Sequence, residues 1–331
     1  MQSIWMVVAA LLFSIMGVGV KLASARYSTW EIVAYRGLVG VVVLGSLMTV
    51  RARRAGTPLR DALVTRNLRM HLTRSISGTI SLTLWFVAIA GLPLATAMTI
   101  NASSPLFIGA WVALTAVRAG EPIDRSMTAA LMFGFVGVLM LLQPTFNQDQ
   151  WSYAVIGTVS TTFTAVAYLS VKALGRAGEP DTRIVLYFSV FNALAGLTGA
   201  TLFGFHAHDA RGLALLALVG FAGAFAQLAV TRAFAAGGTL LTANLGYTGI
   251  VFATTWGYLI FGDRLQASNT IGMAIIVVSS GVATVLTARA LKRAAAQPDE
   301  TIRARDPADG SPRDPLLPDS PETMDASARR H

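Results

Sequence analysis

Cysteine is absent from the 331-residue chain. That excludes disulfides, thiolate metal sites and cysteine nucleophiles. Charge is scarce as well: 13% of the residues are Asp, Glu, Lys or Arg, about half the ~25% usual for a soluble domain. Lysine occurs only at Lys21, Lys172 and Lys292. No Gly-Lys-Ser/Thr phosphate loop is present, so no ATP site is expected. His-Glu-x-x-His, Gly-x-Ser-Gly and any dense acid pair are missing too, so no constellation suits a membrane enzyme. Against these shortages stands a hydrophobic content of 54%. Long, nearly acid-free apolar stretches over residues 1–291 exclude an ordinary cytosolic enzyme and a disordered chain. They leave an all-α, multi-spanning membrane protein.

The net charge of +9 does not point to nucleic acid, because its distribution is wrong for that. Arg51, Arg53, Arg54, Arg60, Arg66, Arg69 and Arg74 crowd one stretch between two apolar runs. In a membrane protein this marks a cytoplasmic loop, where arginine also meets anionic lipid headgroups.

A crossing takes ~20 mostly apolar residues in a helix. Ten are expected: 3–24, 29–50, 75–91, 94–117, 126–145, 152–174, 183–205, 211–233, 239–262 and 268–290. The first run lacks a basic leader and a clear cleavage site, so it reads as a span. With the Arg-rich 51–74 loop inside, an even number of crossings puts both termini in the cytoplasm. Arg118, Arg125, Arg176, Arg183 and Arg232 then fall on the inner side, and Arg26, Arg211 and Arg264 on the outer. Residues 292–331 hold eight acids, seven bases and repeated proline with few large apolar groups. They read as a disordered cytoplasmic tail, because they cannot bury enough apolar area to offset ordering entropy.

The halves echo one another. Lys21 precedes Arg36 by 15 residues, and Lys172 precedes Tyr187 by 15. Pro105 leads after 16 residues to Gly120-Glu121, and Tyr247 leads to Gly262-Asp263 at the same spacing. Five spans in each half would insert in opposite senses, because five is odd. The division is 1–145, 146–291 and a 292–331 tail. Inverted repeats are a recurring plan of secondary transporters, with the substrate held near the midplane.

Lys21, Glu31-Ile-Val-Ala-Tyr-Arg36, Leu92-Pro93-Leu94-Ala95, Ser104-Pro105-Leu106-Phe107, the Gly120-Glu121 step, Ala243-Asn244-Leu245-Gly246-Tyr247 and Phe261-Gly262-Asp263 together resemble EamA-type transporters of the drug/metabolite transporter superfamily. Asn244 stands where that family usually has proline. The resemblance implies ten transmembrane helices as two inverted five-helix repeats around a central cavity. It also implies transport of small metabolites, often export of amino acids or related compounds, across a bacterial inner membrane.

Ionisable and amide groups inside spans are the natural site candidates, since a central charge costs roughly 2.5–3.5 kcal/mol on insertion scales. Lys21 and its inverted mate Lys172 lie near opposite interfaces and either face the cavity or snorkel. Arg36 is too deep for water; it pairs with a carboxylate or helix-end carbonyls, or binds an anionic group. Glu31 is the coupling candidate, if burial raises its pKa. Asn101 and Ser104 flank Pro105, which frees a backbone carbonyl. Asn244 and Tyr247 share a helix face at i, i+3. Tyr168, Gln227 and Asn192 add polar groups, and Trp85 offers an aromatic wall. For each, hydrogen bonding between helices is the competing use. His206 and His208 beside Asp209 are too few ligands for a metal site by themselves.

The reading is therefore a secondary transporter, an exporter of a small amino-acid-like or amphipathic metabolite, working by alternating access. It needs no cofactor. The substrate gradient or an ion, protons first among them, drives it. Its partners are the lipid bilayer and a small-molecule substrate, with no nucleic acid, and it works as a monomer or homodimer. The alternatives are a non-transporting receptor or scaffold and a lipid-modifying enzyme.

Overall fold

The computed structural model describes residues 4–118, 125, 128–129, 132–134, 136–137, 148–236, 245–263 and 267–296. Among these every regular element is helical. In chain order they are α1 (Ile4–Ala23), α2 (Thr29–Ala55), the short α3 (Leu59–Leu63), α4 (Leu68–Gly91), α5 (Leu94–Ala102), α6 (Ser104–Arg118), α7 (Gln148–Arg176), α8 (Asp181–Phe203), α9 (Ala210–Ala236), α10 (Thr248–Trp256, continued by a π turn over Gly257–Phe261) and α11 (Ala267–Ala296). Seven helical segments are long and apolar enough to cross a bilayer, with α5 and α6 counted as one rod. Most of the expected fifth span and the first residues of the ninth lie outside the described residues, as do Gly120, Glu121, Gly237, Gly238, Asn244 and 297–331.

Local chemistry sets the ends. Ser28 caps α2: its hydroxyl accepts from the Glu31 N–H, and the Glu31 carboxylate accepts from the Ser28 N–H, a capping box. At the other end Gly56 adopts φ 64°, a left-handed stop that glycine takes without penalty. Pro93 separates α4 from α5, because the residue before proline is pushed out of the helical region. Within the 94–118 rod the break falls at Ser103. Pro105 is the second residue of α6, where no intrahelical N–H bond is lost. The helix is thus interrupted just before the proline expected to break it.

Three boundaries lie five or more residues from the sequence reading. Helix α2 runs to Ala55 and not to 50, so Arg51, Arg53 and Arg54 belong to its last turns. Helix α4 begins at Leu68 and not at 75, so Arg69 and Arg74 leave the presumed loop and join a helix. Arg74 is buried, which corrects its assignment to a solvated cytoplasmic loop. The stripe His71, Arg74, Ser77-Gly78, Ser81-Leu82, Trp85 is continuous and buried, so the inward face of α4 extends past the point where its hydrophobicity fades. The last helix reaches Ala296, beyond the boundary set at 291.

The largest helix-to-helix contacts run between the two parts of the sequence: α2 with α8, α4 with α7, and α1 with α9. Helix α2 also packs on α9, α4 on α8, α1 on α10, and α5 on α7 and α10. A shared apolar core of Met16, Ile32, Phe86, Ile89, Leu94, Ile100, Phe188 and Val219 fills the spaces. The α2–α8 crossing is the closest. A Cβ on Gly37 would lie 2.2 Å from the Ala193 backbone nitrogen, and one on Gly196 would lie 2.2 Å from that of Ala34. Small residues permit this approach, and in lipid such packing replaces the hydrophobic drive available in water.

Gly37→Val should therefore overpack the crossing and cost about 1–3 kcal/mol or more. Gly45→Ala on the same helix, where a Cβ meets nothing within 4 Å, should be neutral or slightly stabilising. Thermal unfolding of both purified variants checks the contrast; equal melting temperatures would contradict the crossing.

Candidate functional site

The deepest polar groups gather beside the α2–α8 crossing. Arg36 sits two turns into α2, roughly 10 Å along its axis at 1.5 Å per residue. Arg74 approaches from the opposite end on α4. Both are only 2% exposed, and their guanidinium carbons lie 4.9 and 4.2 Å from the centre of the same Phe188 ring. Two glycines make the space. A Cβ on Gly78 would strike Arg74 Nη1, and one on Gly223 would lie 3.0 Å from Arg36 Nε. Arg74 Nη2 donates to Gln227 Oε1 at 3.1 Å, and Tyr168 lies within electrostatic reach of Arg74. Arg36 Nε, Arg74 Nε and Nη1, and Asn192 Oδ1 are buried with no hydrogen-bond partner among the described residues. Neither guanidinium forms an ion pair there. The structure thus brings Arg36, Gln227, Tyr168 and Asn192 together and adds Arg74 and Phe188, which sequence reasoning missed. The available signal was the helical spacing of Arg74 ahead of Gly78, Ser81 and Trp85.

Lys21 is elsewhere. It donates to Leu92 O at 2.8 Å, lies 3.8 Å from Asp263 and sits over the Phe261 ring. Asp263 in turn accepts from the Leu94 N–H at 3.3 Å. Gly262, at φ 65°, turns the chain to deliver it. Lys21 therefore ties α1, the α4–α5 turn and the end of α10 at one end of the bundle. At that same end Glu31 is buried. It accepts from the His206 N–H at 2.9 Å and meets His206 Nδ1 at 2.7 Å, with His208 Nε2 at 3.8 Å. His208 stacks on Tyr27 and leans on Tyr35, and Arg26 pairs with Asp209 alongside. The Gly212 N–H, followed by Arg26, holds the Asp209 carboxyl below its usual range. The two histidines are thus spent on Glu31 and the tyrosines.

A second knot closes the opposite end. Glu179, in the α7–α8 turn, accepts from Thr65 and Asn67 and pairs with Arg183 at 2.9 Å, with His71 at 3.4 Å. Arg183 also donates to Ala62 O and Asp61 O, and the Tyr187 hydroxyl donates to Leu63 O. Burial opposes ionisation of Glu179, but these hydrogen bonds outweigh it and bring its pKa to about 2. Lys172 lies one turn before the end of α7, half-buried and without an ion pair among the described residues.

Other candidates make contacts of their own. The Trp85 indole donates to Ala97 O at 3.3 Å and meets Phe13 edge-on. Asn101 Oδ1 accepts from Thr164, within a hydroxyl seam of Ser81, Ser160 and Thr161 that joins α4, α5 and α7. Ser104 is buried at the α5–α6 break. Tyr247 is half-buried at the start of α10. Asn244 lies outside the described residues.

Comparison with known proteins follows this geometry. The model of the EamA-like transporter family matches residues 1–143. A pseudopaline exporter of Pseudomonas aeruginosa is 32% identical over 282 residues, covering 82% of this chain and 92% of that protein. A riboflavin transporter of Rhizobium johnstonii is 28% identical over 288 residues, covering 84% and 89%. An S-adenosylmethionine uptake transporter of Rickettsia prowazekii is 22% identical over 276 residues, covering 82% and 88%. A crystal structure with 17% sequence identity shares the fold at a TM-score of 0.61, covering 88% of this chain and 98% of its own.

Glu179→Gln should destabilise the protein by about 1–3 kcal/mol, the scale of lost charge-assisted hydrogen bonds. The sign with pH follows from a folded pKa of about 2 against 4.5 for the free group. The stabilisation is complete above pH 4.5 and is lost as pH falls toward 2. Melting temperatures of wild type and variant, measured from pH 7 downward, should stay apart to about pH 4.5 and then converge.

Proposed function

We propose, from the premise that this chain belongs to the EamA-like transporter family and is a multi-pass membrane transporter of small metabolites, that it exports its substrate by alternating access between two inverted five-helix repeats. The repeats are assigned to 1–145 and 146–291, with ten spans in all and 292–331 as a disordered cytoplasmic tail. The observation that carries this reading is the pattern of helix packing. Exchanging α1 with α7, α2 with α8, α4 with α9, and α5–α6 with α10 maps the contacts onto one another. The α4–α7 contact becomes α9–α1, α2–α9 becomes α8–α4, and α2–α8 becomes itself. Gly37 against Ala193 and Gly196 against Ala34 are the same contact seen from its two sides. A two-fold axis in the membrane plane relates inverted repeats in this way.

Alternating access then has a physical form. Polar knots at the two ends cross between the repeats, and the buried arginine pair lies between them. Opening one end requires breaking Lys21–Asp263 and Glu31–His206; opening the other requires releasing Glu179 and Arg183. The pseudopaline exporter supports export as the direction. The Arg-rich 51–69 segment supports an inner-membrane orientation with both termini in the cytoplasm. Protons are the proposed coupling ion, with Glu31, faced by Ser28, His206 and His208 and flanked by Arg26, Asp209, Tyr27 and Tyr35, as the coupling carboxylate. The proposed substrate is an amino-acid-like or amphipathic metabolite. Lys21, Lys172, Tyr247 and Asn244 are proposed to border the path, and Trp85, Asn101 and Ser104 to brace it. No catalytic group or cofactor takes part.

The test is counterflow in proteoliposomes preloaded with candidate metabolites. Uptake of labelled solute should depend on a preloaded partner, and Glu31→Gln should flatten its dependence on pH. Failure of every solute to exchange would count against transport. Orientation is separately testable, because no native thiol competes: Arg60→Cys should label only from the cytoplasmic side and Ala207→Cys only from the other.

A further inference from the structure

Two buried guanidiniums share one aromatic ring, and no described carboxylate lies against either. Arginine does not escape the cost by losing its proton, since its pKa lies too high. An isolated charge at depth is expensive, and a second like charge beside it adds repulsion. Phe188 supplies cation–π attraction and Gln227 one hydrogen bond, but neither carries negative charge. Arg36 Nε and Arg74 Nε and Nη1 are left as donors without acceptors. The carboxylates of the described helix ends, Glu31, Glu179 and Asp263, are all engaged at the two ends of the bundle. The charge that neutralises the pair therefore comes from outside the described structure. Arginine presents planar, forked donors suited to carboxylate oxygens.

We propose that Arg36 and Arg74, with Gln227 beside them, form the binding site for the anionic groups of the transported solute, and that this solute is a small polycarboxylate with one carboxylate for each guanidinium. The proposal rests on the transport reading for its purpose and on the burial of the pair for its chemistry. Gly78 and Gly223 are part of the site, because a side chain at either would displace a guanidinium. Phe188 offers both guanidiniums one aromatic surface. An uncompensated pair of this kind also weakens the empty protein, a common cost of a preformed binding site.

Thermal unfolding of the full-length, detergent-purified protein, followed by its tryptophan fluorescence, tests this with citrate and succinate as probes. Alanine and spermidine serve as zwitterionic and cationic controls, and sodium chloride matches ionic strength. Citrate or succinate should raise the melting temperature and the controls should not. Arg36→Gln and Arg74→Gln should weaken the apparent affinity at least about tenfold, the scale for removing one partner of a buried charge pair. Arg74→Lys should keep part of it, and Arg69→Gln, an exposed arginine on the same helix, all of it. Each Gln variant without ligand should melt no lower than wild type, because a repelling charge has gone. No shift with either carboxylate, or an equal shift in the Gln variants, would overturn the proposal. So would a sharp loss of ligand-free stability in both, which marks a structural pair. Counterflow separates this from the transport reading. Exchange of neutral or cationic solutes that both Gln variants retain overturns the anion site and leaves transport standing. Carboxylate stabilisation without any exchange does the reverse.

Discussion

The close contact of α2 with α8 is the constraint from which the rest of the arrangement follows. Within a bilayer, helices gain little from hiding apolar surface from one another, so shape decides which faces meet. Gly37 and Gly196 let two backbones come within van der Waals distance, and no larger residue fits at either point. Arg36 is the neighbour of Gly37, and Phe188 lies two turns from Gly196 on the same helix. The guanidinium and the ring are brought together because the glycines are. Helices α4 and α9, which supply Arg74 and Gln227, then pack against the pair that the crossing defines.

Charge is divided along the bundle in a consistent way. Three acids at helix ends find partners: Glu31 with the histidines, Asp263 with Lys21 and a backbone N–H, and Glu179 with Arg183, Thr65 and Asn67. The middle holds only positive charge among the described residues. A carboxylate bonded by several donors is held in one geometry, which suits a closure. A guanidinium that lacks an acceptor holds its donors ready, which suits a ligand. In the proposed cycle the ends would serve as latches and the centre as the receptor.

Much of this was legible in the sequence. Apolar runs marked the helices, and Gly262-Asp263 the close of the α10 segment. Gly37, Gly196 and Gly220 all abut neighbouring helices. Arg36 stood out because it was too deep for water. Arg74 did not stand out, because it follows six arginines in a segment whose hydropathy resembles a loop. Hydropathy averages over a turn, whereas burial depends on which side of the turn faces in. For Trp85 and Asn101 the sequence leaves two uses open, lining a cavity and bonding between helices; the Trp85 indole donates to Ala97 O and Asn101 Oδ1 accepts from Thr164.

By itself the sequence determined that the protein lies in a membrane, that it is helical, where most helices begin and end, and which family it resembles. These properties depend on composition and on spacing along one helix, which a linear string carries. Only the tertiary structure decided that Arg36 and Arg74, thirty-eight residues apart, share the Phe188 ring, that Glu31 reaches His206, and that Lys21 reaches Asp263. Those pairings depend on the direction each helix face points after packing. That direction is set by glycine contacts between segments far apart in the chain, and by the need to find partners for polar groups that water cannot reach.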